Sequence, residues 1–376
     1  MPALTKAQQK QAQAAEDAFH RTYAAQYGHE RWQELLYPAL SAPTRYAALV
    51  NRYVGSALPK SFTEEDARRM EPITFPDQGE ATREQSLVSY QWSATQAEAT
   101  TPFPAPQLDP SKKLMTHWNL DAASLLGVAI LDPRPGDKVL DICAAPGGKS
   151  VAIAQLLCPE GFDAAAPSLA GGCLHSNELN HARNKRLSSN LQSYLPETFF
   201  KSGEVKVLKL DGVETNAAQT LPLGAGGYDK VLLDAPCSSE RHIIHAQVKA
   251  KQGGRVADEM TSWKSAHSKK MAKTQAALLL TALKAVRVGG TVLYATCSLS
   301  SDENDGVVEK GMELVQKERK KFGIRWDLAV RSSGPSGKVL KEWAEPTKHG
   351  WLVLPDHGAG SKWGPLFFAL LEKVAS

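Results

Sequence analysis

KVLDICAAPGGKSVAIAQLL, residues 138–157, reads as a strand, a tight turn and a helix. Val139, Leu140 and Ile142 form the short apolar run of a buried strand. Pro146-Gly147-Gly148 lets the backbone bend sharply and approach a ligand, and GGKSVAIAQLL opens a helix. Outward from this unit the alternation repeats. CLHSNE (173–178) is a strand and NHARNKRLSSNLQSY a helix; EVKVLKLD and YDKVLLD (228–234) are strands; KTQAALLLTALKAV is a helix, GTVLYAT a strand and NDGVVEKGMELVQKE a helix. WLVLPD and PLFFALLE close the chain as strands. This order predicts an α/β, Rossmann-like, doubly wound parallel sheet with helices on both faces. In such a sheet the C-terminal strand ends line the crevice where ligands bind. Asp141, Glu178, Asp211, Asp234, Cys237 and Cys297 all fall at or just beyond those ends.

Upstream the pattern changes. Residues 12–57 read as helices, with apolar positions at three- and four-residue spacing in ERWQELLYPAL and RYAALVNRYV. From 71 to 113 the chain is rich in proline and turns (EPITFPDQGE, TPFPAPQLDP), as in a linker or irregular arm. LDAASLLGVAILD is helical, and PEGFDAAAPSLAGG reads as a surface insertion. The division expected is a helical N-terminal region with its proline-rich arm over 1–110, then the sheet domain over 111–376. The 376 residues are 42% hydrophobic and 22% charged, an ordinary globular composition. No run of 18 apolar residues occurs to span a membrane. The N-terminus has no apolar signal-peptide core, and Glu16 and Asp17 argue against a mitochondrial presequence. Five scattered cysteines (143, 158, 173, 237, 297) suit reduced thiols better than a disulfide framework.

Charge is unevenly placed. Residues 1–110 hold 10 Lys/Arg against 13 Asp/Glu, so the remainder holds 34 against 27. Within it KAKQGGRVADEMTSWKSAHSKKMAK (249–273) has seven basic and two acidic residues, either a solvated face or a polyanion contact.

The glycine-rich turn excludes two nucleotide motifs. A phosphate-binding P-loop needs glycine where Cys143 stands, and the Gly-x-Gly-x-x-Gly dinucleotide fingerprint is absent. What remains is a tight structural turn or a nucleoside-binding loop for a ligand without phosphates, such as S-adenosylmethionine. Glu178 is placed to accept ribose hydroxyls or to cap a helix. Asp211 is placed to meet an adenine amine or to begin a turn with Gly212. Arg183 is a surface cation or a partner for Glu178 or for the ligand. Cys237 and Cys297 are small buried hydrophobes or nucleophiles. Cysteine and histidine spacing does not match a metal site.

DICAAPGGKS, VLLDAPCSSERH and VLYATCSLSSDEN, in that order, resemble the signature of the NSUN and bacterial Sun-type RNA 5-methylcytosine methyltransferases. LDAASLLGVAILDPRPGDKVLD, RYAALVNRYV and GPLFFALLEK extend the resemblance over roughly residues 30–376, closest in style to the mitochondrial branch. It implies a class I methyltransferase sheet, S-adenosylmethionine as cofactor and RNA as partner, ribosomal RNA first and tRNA second. Cys143, Ala144, Ala145, Pro146, Gly147, Gly148 and Lys149 would form the cofactor loop. Glu178 and Arg183 would serve the ribose, Asp211 and Gly212 the adenine. Cys297 would attack carbon 6 of cytosine, Cys237 would help eliminate the enzyme, and Asp234 would hold the base. Lys149 would also lower the thiolate pKa. The resemblance further implies mitochondrial location, while the net-acidic residues 1–110 are an unpromising RNA-binding surface, so target choice would depend on a partner protein or on RNA shape. On it the segment 243–270 is an RNA-contacting lid or a disordered insertion. A non-catalytic RNA-binding or assembly factor on the same fold is the alternative function.

Overall fold

The computed structural model describes residues 6–55, 58–74, 86–93, 103–158, 167–331, 340–358 and 362–376. The predicted alternation forms one large sheet. Strands β5 (Lys138–Asp141), β6 (Cys173–Asn177), β7 (Val205–Leu208), β8 (Tyr228–Asp234) and β9 (Val286–Thr296) run parallel in the order β7-β6-β5-β8-β9. The order reverses between β5 and β8, the switch point where such sheets open a crevice. β13 (Leu366–Ala375) joins β9 antiparallel. Its far edge takes β10 (Trp326–Arg331) and β12 (Trp351–Val353), with β11 (Glu345–Pro346) outermost. β10 and β11 have no counterpart in the sequence reading.

Both faces of the sheet are covered. Val139, Leu232, Leu293 and Phe368 point to one apolar core, shared with the helices Ala122–Leu131, Gly148–Leu157 and His181–Tyr194. Leu140, Val231, Leu233, Val292, Tyr294 and Phe367 point to the other, shared with the N-terminal helices and with Glu240–Gln252, Ala266–Ala285 and Asp305–Phe322. A strand buried on both faces reads as a continuous apolar run, which is why VLL and TVLYAT carry no polar alternation.

Before this sheet lies a four-stranded antiparallel one, in the order β2-β3-β1-β4: β1 (Tyr46–Val50), β2 (Met70–Pro72), β3 (Ser89–Trp92) and β4 (His117–Asp121). It corrects the helical reading of RYAALVNRYV. A five-residue apolar run is too short for periodicity to separate helix from strand. The flanking strands decide it by supplying partners on both edges, Ala48 pairing with Tyr90 and with Asn119. The helical N-terminal region itself is present over Lys6–Ser41, and the proline-rich arm contributes β2 and β3. Residues 75–85 and 94–102 of that arm, and 159–166 of the PEGFDAAAPSLAGG insertion, lie outside the described residues. The basic segment 243–270 is ordered, built from Glu240–Gln252, Asp258–Ser262 and the start of Ala266–Ala285 with short connections between. The first of these helices closes against the N-terminal helix through Gln247 Nε2 to Glu16 Oε2 (3.1 Å) and Lys251 Nζ to Glu16 Oε1 (2.7 Å).

Candidate active site

The parallel sheet delivers its polar residues to one edge. Asp141 ends β5, Glu178 follows β6, Asp211 lies past β7, Asp234 ends β8, and Cys297 follows β9. In the β8–β9 pairing Asp234 stands beside Ala295. Cys237 is three residues beyond the first and Cys297 two beyond the second, so adjacent parallel strands bring the two thiols together. Their sulfurs lie 2.8 Å apart, both half-buried, with Ser239 Oγ 3.1 Å from Cys297 Sγ and 3.4 Å from Cys237 Sγ. The adjacent Cys297 sulfur, and then burial, push the Cys237 thiol well above the ordinary cysteine range.

The loop from Cys143 to Gly148 is clamped on several sides. Asn177, at the end of β6, donates to Ile142 O (3.0 Å) and Leu210 O (3.1 Å) and accepts from Leu210 N (2.7 Å), so one buried amide ties three strand ends. Arg183 bridges Glu178 (3.2 Å) and Ala145 O (3.0 Å), while Asn190 reaches Pro146 O (2.8 Å). The helix-capping alternative for Glu178 gives way to Asn180, whose side chain accepts from Arg183 N while its own N–H donates to Glu178 Oε1 (2.9 Å). Gly147 has φ +118°, a conformation L side chains rarely adopt. A Cβ on Gly148 would lie 2.8 Å from Trp118 Nε1, so the loop passes where only glycine fits. Cys143 is half-buried beside an apolar core, and burial raises its pKa.

A cavity of about 240 Å³ opens beside this loop. Cys143 to Pro146, Gly148, Lys149, Asp141 and Asp234 line one side, and Trp118 to Asp121 with Ser124 line the other. Lys149 donates to Asp234 Oδ2 (2.7 Å) and Ser124 Oγ (3.0 Å). Burial alone would lower the lysine's pKa, but Asp234, with Asp141 and Asp121 behind it, raises it. Its hydrogen bonds go to oxygen, not to sulfur. Burial lifts the Asp141 carboxyl to about 7. Its Oδ2 accepts from Ser150 (2.7 Å), whereas Oδ1 has no partner among the described residues.

Glu178, Arg183, Asp211 and Gly212 lie outside this cavity's walls, as do both reactive-cysteine candidates. Asp211 Oδ1 accepts from Val213 N (3.0 Å), so it does begin the turn that its sequence allowed. Several neighbours escaped sequence reading. Trp118, Asn119 and Asp121 come from β4 in another sheet, and Asn177 is the last of three buried polar residues, with His175 and Ser176, that close β6. The signal available was the polar pair Asn119 and Asp121 around Leu120, directly ahead of an apolar helix.

The loop fits a nucleoside-type ligand without phosphates: its glycines occupy positions a Cβ would fill, and Asp141 leaves an acceptor open. Comparison with known proteins agrees. Residues 128–322 match the family model described as 16S rRNA methyltransferase RsmB/F. The chain is 30% identical over 386 residues to the mitochondrial tRNA (cytosine(34)-C(5))-methyltransferase of Danio rerio, covering 99% of this chain and 90% of that protein. It is 30% identical over 394 residues to the 5-cytosine rRNA methyltransferase NSUN4 of Mus musculus, covering 99% and 92%. In fold it resembles NSun6 from Pyrococcus horikoshii with SFG, at a TM-score of 0.59 and 17% identity, covering 96% of this chain and 98% of that one.

Proposed function

Because this chain belongs to the RsmB/F and NSUN family of S-adenosylmethionine-dependent RNA cytosine-5 methyltransferases, we propose that it methylates cytosine in RNA through a covalent adduct on Cys297. The observation that carries this reading is the 2.8 Å contact of Cys237 and Cys297 at the ends of neighbouring parallel strands. The Cys297 thiolate adds to carbon 6 of the flipped-out base, forming a carbon–sulfur bond and pushing electron density to carbon 5. S-adenosylmethionine, when bound, supplies the electrophilic methyl group that carbon 5 takes up. Gly147, Gly148 and Asp141 are the residues we assign to hold it, with Glu178 and Arg183 for its ribose and Asp211 with Gly212 for its adenine.

Asp234, charge-balanced by Lys149 at 2.7 Å, orients the base by accepting from its exocyclic amine. Cys237 keeps its proton while the neighbouring sulfur bears charge. Once Cys297 sulfur is bonded to carbon that charge is gone, and Cys237 can then release its proton to solvent and, as the thiolate, take the proton from carbon 5. The electron pair left by the proton restores the ring double bond, the carbon–sulfur bond breaks, and its electrons return to Cys297.

We assign the methyltransferase domain to 111–376. The substrate we favour is ribosomal RNA, then tRNA, in mitochondria, with a partner protein contributing to target choice. Both RNA classes and the mitochondrial location occur in the relatives' names, and the partner is inferred from the net-acidic residues 1–110, an unpromising RNA-binding surface. The test is a denaturing gel of Cys237→Ala protein with cellular RNA and S-adenosylmethionine. A slow-migrating band that Cys297→Ala abolishes in the same background supports covalent attack, and sequencing the trapped RNA identifies the substrate. No band with any RNA, despite measurable cofactor binding, would sink the covalent reading and favour an assembly factor.

A further inference from the structure

Cys237 and Cys297 stand on separate loops, so their contact depends on what joins those loops. Beneath them lies Glu303, six residues after Cys297, fully buried. Its Oε2 accepts from the backbone N–H of Ser238 (3.0 Å) and from Gln275 Nε2 (2.8 Å). Its Oε1 accepts from the Ser238 hydroxyl and from the Ser298 hydroxyl (3.2 Å). Ser238 follows one cysteine and Ser298 follows the other. Gln275 also donates to the carbonyl of Pro236 (2.9 Å), the residue before Cys237. Glu303's own carbonyl is held by the Tyr294 hydroxyl from within β9. The Cys237 loop is thus gripped on both sides of the cysteine through Glu303 and Gln275, and buried Glu240 shares the two serine hydroxyls but not the Ser238 N–H or Gln275 contacts.

Nothing in the attack on carbon 6 uses Glu303. We propose that Glu303 is a positioning residue that sets Cys237 against Cys297, and so governs release of the covalent RNA adduct more than its formation. The inference rests on the division of labour between the cysteines proposed above. Formation needs Cys297 and a held base, whereas release needs Cys237 placed against the carbon that Cys297 carries. Three of the contacts described, Ser238 N, Ser238 Oγ and Gln275 through Pro236, bear on the Cys237 loop and one on Ser298. Loosening the carboxyl therefore disturbs the release geometry first.

Glu303→Gln keeps the shape but removes the charge and turns one acceptor into a donor: with its oxygen on Ser238 N and Gln275, its NH2 faces the two serine hydroxyls, which must turn round to accept. With the full chain, S-adenosylmethionine and cellular RNA, this variant is expected to accumulate a covalent RNA band without any change at Cys237. Its single-turnover methyl transfer should stay close to wild type while multiple turnover falls about tenfold or more. Ser238→Ala, which keeps the N–H and loses the hydroxyl, should give a weaker band and carries the test if Glu303→Gln does not fold. Equal losses in single and multiple turnover with no band, or wild-type behaviour of both variants, overturn the assignment. Cys237→Ala is run alongside. A band there and none in the other two refutes only the positioning role, whereas no band in any variant refutes the covalent reading together with it.

Discussion

Lys149→Met removes the only cation among the described residues that line the cavity, while keeping most of the aliphatic stem. Asp121, Asp141 and Asp234 line the same space. The lysine and Asp234 side chains are 16% and 30% exposed and lie 2.7 Å apart. Stripping one partner from a buried pair costs about 3–5 kcal/mol. Partial solvent screening of Asp234 brings the expected loss to roughly 2–3 kcal/mol. At about 2.1 cal/mol/K per residue, 376 residues give an unfolding entropy near 0.8 kcal/mol/K, so the melting point should drop by about 3 °C at pH 8.

The pH dependence is the sharper part of this expectation. A lysine whose folded pKa is raised contributes fully below its unfolded value, so its own term is constant between pH 5.5 and 8. The carboxyls behave differently. Burial raises Asp121 and lifts Asp141 to about 7, and losing the lysine's charge raises both further. A carboxyl with a raised folded pKa binds its proton more readily in the folded state, so falling pH relieves the unpaired charge. The gap between variant and wild type should therefore shrink to about 1 °C or less at pH 5.5. Thermal unfolding of both proteins without cofactor, at several pH values, measures this. A gap independent of pH, or a variant more stable than wild type at pH 8, refutes the electrostatic account of the cavity.

Three further outcomes are expected. Asp141→Asn should stabilise the cofactor-free protein increasingly as pH rises from 4 to 8, by up to roughly 4 kcal/mol from about three pKa units at 1.36 kcal/mol each; denaturant titrations at pH 5 and pH 8 that show no widening would contradict it. Gly148→Ala pushes a methyl against the Trp118 indole and should cost about 1–3 kcal/mol. Trp118→Leu should recover most of that cost, so additive losses in the double-mutant cycle would show that the clash is not there. Asn177→Ala drops the amide that ties three strand ends and should cost about 2–4 kcal/mol. Calorimetry should also find weaker S-adenosylmethionine binding by that variant, and unchanged affinity would separate this residue from the loop's function.

The sequence reading succeeded where local order carries the information. It located all five parallel strands, the two closing strands and the strand-tip positions of Asp141, Glu178, Asp234, Cys237 and Cys297. It misread RYAALV as helix, since the strands that satisfy its backbone lie far along the chain, Tyr90 of β3 standing 42 residues and Asn119 of β4 71 residues beyond Ala48. It left the basic segment 243–270 undecided, because its first helix is held by Glu16, more than 230 residues away in the N-terminal helix. It gave Asp211 two roles, and the hydrogen bond from Val213 N shows that the turn is one of them.

Which residues of the parallel strands reach their C-terminal edge is legible from local order alone. Right-handed crossovers between parallel strands leave every C-terminal end on the same edge of the sheet, so a polar residue closing an apolar run is placed there whatever its neighbours are. Which of those residues touch is another matter, decided by strand order and by side chains far apart in the chain. β8 lying between β5 and β9 is what sets Asp234 beside Lys149, 85 residues away, and Cys237 beside Cys297, 60 residues away. β4 brings Trp118 against Gly148 from a different sheet altogether. Contacts such as these arise from the burial of two whole apolar cores, a free energy summed over the molecule, and no local stretch of residues encodes it.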